Sequence, residues 1–126
     1  MLEIGVLALG AAEVDRAVDF WCASLGYERR TDGFGGRPVV LAPPGNGAGT
    51  RIALQPSAAA PQDHPRRHLD LHVDSAKEQA HEADGLAALG ARRIAWDSCP
   101  DDPDLVVLED PEGNRSGIVD VNRRER

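Results

Sequence analysis

Ser24-Leu25-Gly26-Tyr27-Glu28-Arg29-Arg30 returns 64 residues later as Ala88-Leu89-Gly90-Ala91-Arg92-Arg93-Ile94. A second correspondence follows at nearly the same offset. Val39-Val40-Leu41 then Pro44-Gly45-Asn46 is matched by Val106-Val107-Leu108 then Pro111-Glu112-Gly113-Asn114. Two matched pairs, in the same order and separated by about half of a 126-residue chain, indicate a duplicated module.

Outward from Gly26 each copy can be read as elements. Val14, Ala17, Val18, Trp21 and Leu25 recur at helical spacing, so Glu13 to Leu25 reads as an amphipathic helix. Gly26 stands at its C′ position, where a left-handed conformation costs glycine little. Leu2 to Leu9 reads as a strand before the helix. Tyr27 to Arg30, Pro38 to Ala42 and Arg51 to Gln55 read as three strands after it, set off by glycine-rich turns. In the second copy His68 to Val73 reads as a strand. Ser75-Ala76-Lys77-Glu78 is a capping box, in which the hydroxyl accepts a free backbone N–H and the glutamate reaches back to the cap. The helix it opens runs to about Leu89 and stops at Gly90, with Gly85 a weak point inside it. Arg92 to Trp96, Leu105 to Glu109 and Ser116 to Val121 follow as strands. The order is βαβββ twice: module one over 1–55, a linker over 56–66, module two over 67–121 and a tail over 122–126. The fold class is α+β, two tandem modules that each bury one sheet face under a helix and leave the other to line a shared cleft.

Composition bounds the function. Charged residues make up 28% and hydrophobic ones 41%, with a net charge of -7. An acidic surface repels phosphate backbones, so nucleic acid is not an expected partner. No apolar run approaches the roughly 20 residues that span a bilayer, and no basic stretch leads into an apolar core at the N-terminus. A cytoplasmic protein away from membranes is expected. Its two cysteines, Cys22 in a helix and Cys99 in a loop, are then reduced thiols.

The sharpest chemical signal is His68-Leu69-Asp70-Leu71-His72-Val73. Leu69, Leu71 and Val73 share one strand face, while His68, Asp70 and His72 share the other. Three polar residues on one face of a core strand are costly unless they meet water, ligand or each other. An edge strand with a solvated polar face is the plain alternative. His68 and His72 lie about 13 Å apart along the strand and cannot chelate one metal, whereas His68 and Asp70, about 7 Å apart, can share a proton relay. By the same alternation Arg51, Ala53 and Gln55 face the cleft in the first copy, and Arg115, Gly117 and Val119 do so in the second. For the first strand two parities stay open, either Glu3, Gly5 and Leu7 toward the cleft or Ile4 and Val6. The repeat offset sets Ile4 opposite His68.

Val14-Asp15-Arg16-Ala17-Val18-Asp19-Phe20-Trp21 through Leu25-Gly26-Tyr27 resembles the first helix of glyoxalase-like proteins. His68 to Asp74 resembles their second-module strand, and Asp110-Pro111-Glu112-Gly113-Asn114 their late turn. Over nearly the whole chain the sequence is similar to the vicinal oxygen chelate superfamily, with its glyoxalases, bleomycin- and fosfomycin-resistance proteins and extradiol dioxygenases. The resemblance implies a cup-shaped mixed sheet, and one divalent metal held by His and Glu ligands from several cup strands. His68 matches one ligand position. The others fall at Ile4 or Gly5, at Ala53 with Gln55 as its polar neighbour, and at Gly117, none of which supplies the usual donor. Glu3 and Gln55 are possible substitutes under a shifted register. A catalytic divalent site needs about three protein ligands, so no metal and no other cofactor is expected.

Two functions of different class follow. A metal-free binding protein would sequester a hydrophobic or planar small molecule on His68, Asp70, His72, Arg51, Gln55, Arg115 and Gly117. Gly117 and Ala53 would leave room for it, and Trp21 or Trp96 could stack on it, though the helical spacing of Trp21 also fits core. A metal-free lyase or isomerase would use His68 as general acid or base, oriented by Asp70. A metal-dependent glyoxalase or dioxygenase with a non-standard ligand set is the third reading. A homodimer is expected from the resemblance and from the tendency of sheet edges to pair.

Overall fold

The computed structural model describes residues 1–30, 38–45, 47–95 and 105–122. The chain divides into two compact units, Met1–Ala60 and Pro61–Arg126. The expected strand end at Trp96, the turn residue Asn46, the loop cysteine Cys99 and the tail beyond Asn122 lie outside the described residues.

The first unit contains β1 (Val6–Ala11), α1 (Val14–Leu25), β2 (Glu28–Arg29), β3 (Val39–Ala42) and β4 (Arg51–Pro56). Its four-stranded sheet has the order β1-β4-β3-β2. β1 runs parallel to β4, and the other pairs are antiparallel. α1 packs mainly on β4. It presents Ala17, Val18, Phe20 and Trp21 as its buried side. Trp21 is 1% exposed and meets Phe20 edge-to-face, centroids 5.1 Å apart, so it is core. Gly26 closes the helix at φ 69°, as its place after Leu25 predicts.

The first strand begins four residues later than the sequence leads one to expect. β1 gains its hydrogen-bonded neighbour only from β4, and the paired rungs start at Val6↔Arg51. Met1, Leu2 and Ile4 precede that rung and are exposed. Register also decides the open parity. Leu7 and Leu9 pair with Ile52 and Leu54 and join their apolar face. Val6, Ala8 and Gly10 therefore share a face with Arg51, Ala53 and Gln55.

The second unit repeats the plan with β5 (Leu69–Val73), α2 (Ala76–Ala88), β6 (Arg92–Arg93), β7 (Leu105–Glu109) and β8 (Arg115–Asp120). Its sheet order β5-β8-β7-β6 matches the first, again with a parallel outer pair. Both sheets are mixed, as the duplicated βαβββ order predicts. β2 and β6 are shorter than expected, two residues each, because each pairs for two rungs only, with β3 and β7 respectively.

Ser75 caps α2, its Oγ accepting the Glu78 N–H at 3.0 Å. Glu78 Oε2 accepts from Asp74 N–H at 3.1 Å, one residue upstream of the capping box partner expected from sequence. Buried Gln79 donates from Nε2 to the Ile118 carbonyl at 2.8 Å and ties α2 to the middle of β8. Among the described residues no helix is long and apolar enough to cross a membrane.

Candidate functional site

β5 separates its residues as alternation requires. Leu69, Leu71 and Val73 are the more buried set, and Asp70 and His72 are exposed on the other face. Asp70 pairs with Gly117 and His72 with Val119, so these residues share one face of the second sheet with Arg115. β5 stands at the edge of that sheet. His68 and Arg115 are the residues immediately before the first β5–β8 rung, Leu69↔Ser116. His68 Nε2 lies 3.1 Å from Asp70 Oδ1, with side-chain exposures of 31% and 42%. That contact is a hydrogen bond with neutral imidazole and an ion pair when the ring is protonated. In both forms the carboxylate orients the ring, and in the neutral form it favours the tautomer with the proton on Nε2. His72 lies two residues further along the strand, exposed.

Gly117 is not an opening. A Cβ built there would collide with Leu105 Cδ1 and would come within 2.8 Å of Asp70 Oδ1. The room that the sequence reading left for a ligand above this glycine is filled by the Leu105 side chain, and Gly117 is buried. With glycine at this rung Leu105, two strands away from Asp70, closes over β8 as it stands.

The donor set for a divalent cation fails on the same residues. Gly117 has no side chain and no free space, Ala53 is a buried methyl, and Ile4 and Gly5 precede β1. Glu3, the possible substitute, also precedes β1 and is exposed. Among the described residues no group of three or more His, Cys, Asp or Glu side chains is placed to hold a metal ion. The residues present do not fit the metal centre that the resemblance implies.

A second cluster grows from the Asp110-Pro111-Glu112-Gly113-Asn114 turn. Buried Asp110 accepts from the Glu112 and Asn114 N–H groups through Oδ1, each at 2.9 Å. Backbone bonds Asp110 N–H to Asn114 carbonyl at 2.8 Å and Gly113 N–H to Asp110 carbonyl at 2.9 Å complete the clasp. Gly113 sits at φ 84°, which favours glycine. The clasp sets the β7–β8 register, and that register makes Glu109 and Arg115 partners. Arg92 pairs with Glu109 from β6 and donates from Nη2 to Glu109 Oε2 at 2.7 Å. Arg115 Nη2 stands 3.7 Å from Glu109 Oε1 and 3.7 Å from Asp63 Oδ1.

These residues border a cavity of about 540 Å³, to which Asp63, His64, Arg92, Arg93, Glu109 and Arg115 contribute the polar wall. Ile94 and Ala95 supply its apolar part. The charged lining differs from the hydrophobic or planar ligand site imagined from sequence. Arg115 alone of this wall was singled out by strand alternation. Glu109 and Arg92 were legible in principle, since a five-residue turn at 110–114 sets residue 109 against 115. Asp63 and His64 come from the linker, which has no periodicity to read.

In the first unit Arg51 and Gln55 are exposed on β4 with buried Ala53 between them. Cys22 is partly buried on α1, and its thiol pKa is raised by burial and by the Asp19 charge, with Arg29 opposing.

Comparison with known proteins places the chain. No curated protein sequence matches it. Solved structures do. The genomically encoded fosfomycin resistance protein FosX from Listeria monocytogenes superposes with a TM-score of 0.74 at 13% identity, covering 99% of this chain and 97% of that one. A glyoxalase/bleomycin resistance protein/dioxygenase family enzyme from Burkholderia phytofirmans PsJN gives 0.69 at 14% identity, over 93% and 97%. A member of the glyoxalase/bleomycin resistance protein/dioxygenase superfamily from Sphaerobacter thermophilus DSM 20745 gives 0.68 at 19%, over 94% and 97%. At these identities the likeness is one of fold. The glyoxalase-like domain model matches residues 6–119. With the duplicated βαβββ plan and its two mixed sheets, that match over most of the length makes this chain a member of the glyoxalase-like domain family.

Proposed function

We propose that this protein binds a small organic molecule on the polar face of its second module, and does so without a divalent metal. The observation that carries the reading is the closure of Gly117 by Leu105 beside Asp70. It sets apolar packing where the resemblance implies a metal ligand, beside a hydrogen-bonding pair, His68 and Asp70. A carboxylate-oriented imidazole and a nearby cavity of about 540 Å³ can hold a ligand of metabolite size. Sequestration, as practised by a resistance protein, needs no more than this. The acidic chain and its two cysteines agree with a cytoplasmic setting.

The His68–Asp70 contact favours one second reading. An imidazole held at 3.1 Å by a carboxylate is equipped to take a proton from carbon beside a carbonyl, which is the first step of a lyase or isomerase. Thermal-shift screening of metabolites and antibiotics with chelator present finds the ligand, since binding to the folded state raises the melting temperature. His68→Ala then separates the readings. Retained binding with lost turnover marks catalysis, and weakened binding with no turnover in either protein marks sequestration. A stoichiometric transition metal in the purified protein, required for any ligand shift, overturns both.

A further inference from the structure

We infer that the cavity beside Arg115 is an oxyanion subsite, and that the molecule bound by the second module carries a carboxylate, phosphate or phosphonate group. The inference rests on the proposed small-molecule function and names its ligand class.

The argument begins with Arg115. Its side chain is only 11% exposed, yet among the described residues no carboxylate takes its donors at hydrogen-bonding distance. Both acidic neighbours, Asp63 and Glu109, stand 3.7 Å from Nη2. Its Nε is buried and makes no hydrogen bond among the described residues. A guanidinium taken out of water normally has its fork filled, often by two oxygens of one acid group. Here Glu109 gives its close contact to Arg92 instead, at 2.7 Å. Asp63 is 88% exposed and offers Arg115 little beyond a screened attraction.

Charge points the same way. Three guanidinium groups, Arg92, Arg93 and Arg115, face this cavity against two carboxylates, Asp63 and Glu109. Among the described residues one positive charge is in excess, on a chain whose net charge is -7. The depression is open to solvent and larger than a bare ion needs, so it can take an anionic group carried by an organic molecule. Geometry links the subsite to the other pair. Arg115 and Gly117 share a face of β8 two residues apart, about 7 Å, and Gly117 is paired with Asp70. A ligand with its acid group on Arg115 would reach the His68–Asp70 pair with its next few atoms.

Titrations of the full chain in chloride buffer at constant ionic strength test the assignment, with inorganic phosphate, benzoate and phenylphosphonate as probes. Benzamide serves as the neutral match of benzoate. The oxyanions bind and benzamide does not. Arg115→Gln weakens oxyanion binding at least tenfold, about what one charge-assisted hydrogen bond contributes. Arg92→Gln, at a side chain 74% exposed, weakens it without endangering the fold. Glu109→Gln strengthens it by a few-fold, because the carboxylate competes for the same two arginines. A structural role for Arg115 alone predicts no such gain. Oxyanions that do no better than chloride, or an unchanged affinity in both Arg92→Gln and Glu109→Gln, overturn the subsite. Neutral metabolites that stabilise the protein while oxyanions do not would sink the subsite and leave the binding function standing. Phosphate binding without any organic ligand would do the reverse.

Discussion

At the scale of the residue, the second module is governed by who stands next to whom. With glycine at 117 Leu105 lies across β8, and glycine itself supplies no donor at the position. His68 and Asp70 were readable in sequence, because strand alternation alone puts residues 68 and 70 on one face. What alternation cannot supply is which side chain from a neighbouring strand lies over them, so the filling of the space by Leu105 was not legible. Cys22 offers an independent check on local packing. Burial and the Asp19 charge hold its thiol pKa above the usual range. Below the ordinary thiol pKa both folded and unfolded forms are protonated, and the stabilisation linked to this raised value is fully present. It is lost as pH rises through the folded value, because the unfolded chain ionises first. Iodoacetamide should therefore modify Cys22 more slowly in the folded protein than in urea between neutral pH and the thiol range. Equal rates would show that the side chain is solvated.

At the scale of the element, the β7–β8 hairpin builds the charged wall. Asp110 closes the turn by accepting two backbone N–H groups. The clasp then fixes Glu109 against Arg115. The Asp-Pro-Glu-Gly-Asn motif was legible as a turn, and the bonds accepted by Asp110 and the positive φ of Gly113 account for those two positions. Hydrogen bonds to a charged acceptor contribute about 1.5–3 kcal/mol each. Asp110→Ala should lower stability in urea unfolding by roughly 2–4 kcal/mol, the two lost bonds being only partly replaced by water. Asp110→Asn, which keeps an acceptor oxygen, should cost less. A neutral Asp110→Ala would mean that the turn holds its shape without the carboxylate. Element boundaries were the least legible part. β1 begins where β4 offers a partner, and no local propensity in Met1 to Gly5 reveals where that partner starts.

At the scale of the whole molecule, the duplicated plan was the most legible feature, because a helix and its closing glycine recur with the same strand pattern. Both sheets share one topology. The site was half legible: strand residues follow from period, whereas Asp63 and His64 arrive through a linker whose path only tertiary packing determines. We propose that the chain is a homodimer in solution, to which the exposed apolar side chains of Met1, Leu2 and Ile4 are suited. Light scattering should give twice the 13.5 kDa chain mass, and a mass equal to one chain would reject the dimer. Metal-free ligand binding by the second module is best tested by melting curves of the purified protein with EDTA, across a panel of small organic acids and antibiotics. At least one compound should raise the melting temperature in EDTA, with the rise reduced in His68→Ala. A stabilisation that vanishes in EDTA and returns only with an added divalent cation would contradict it.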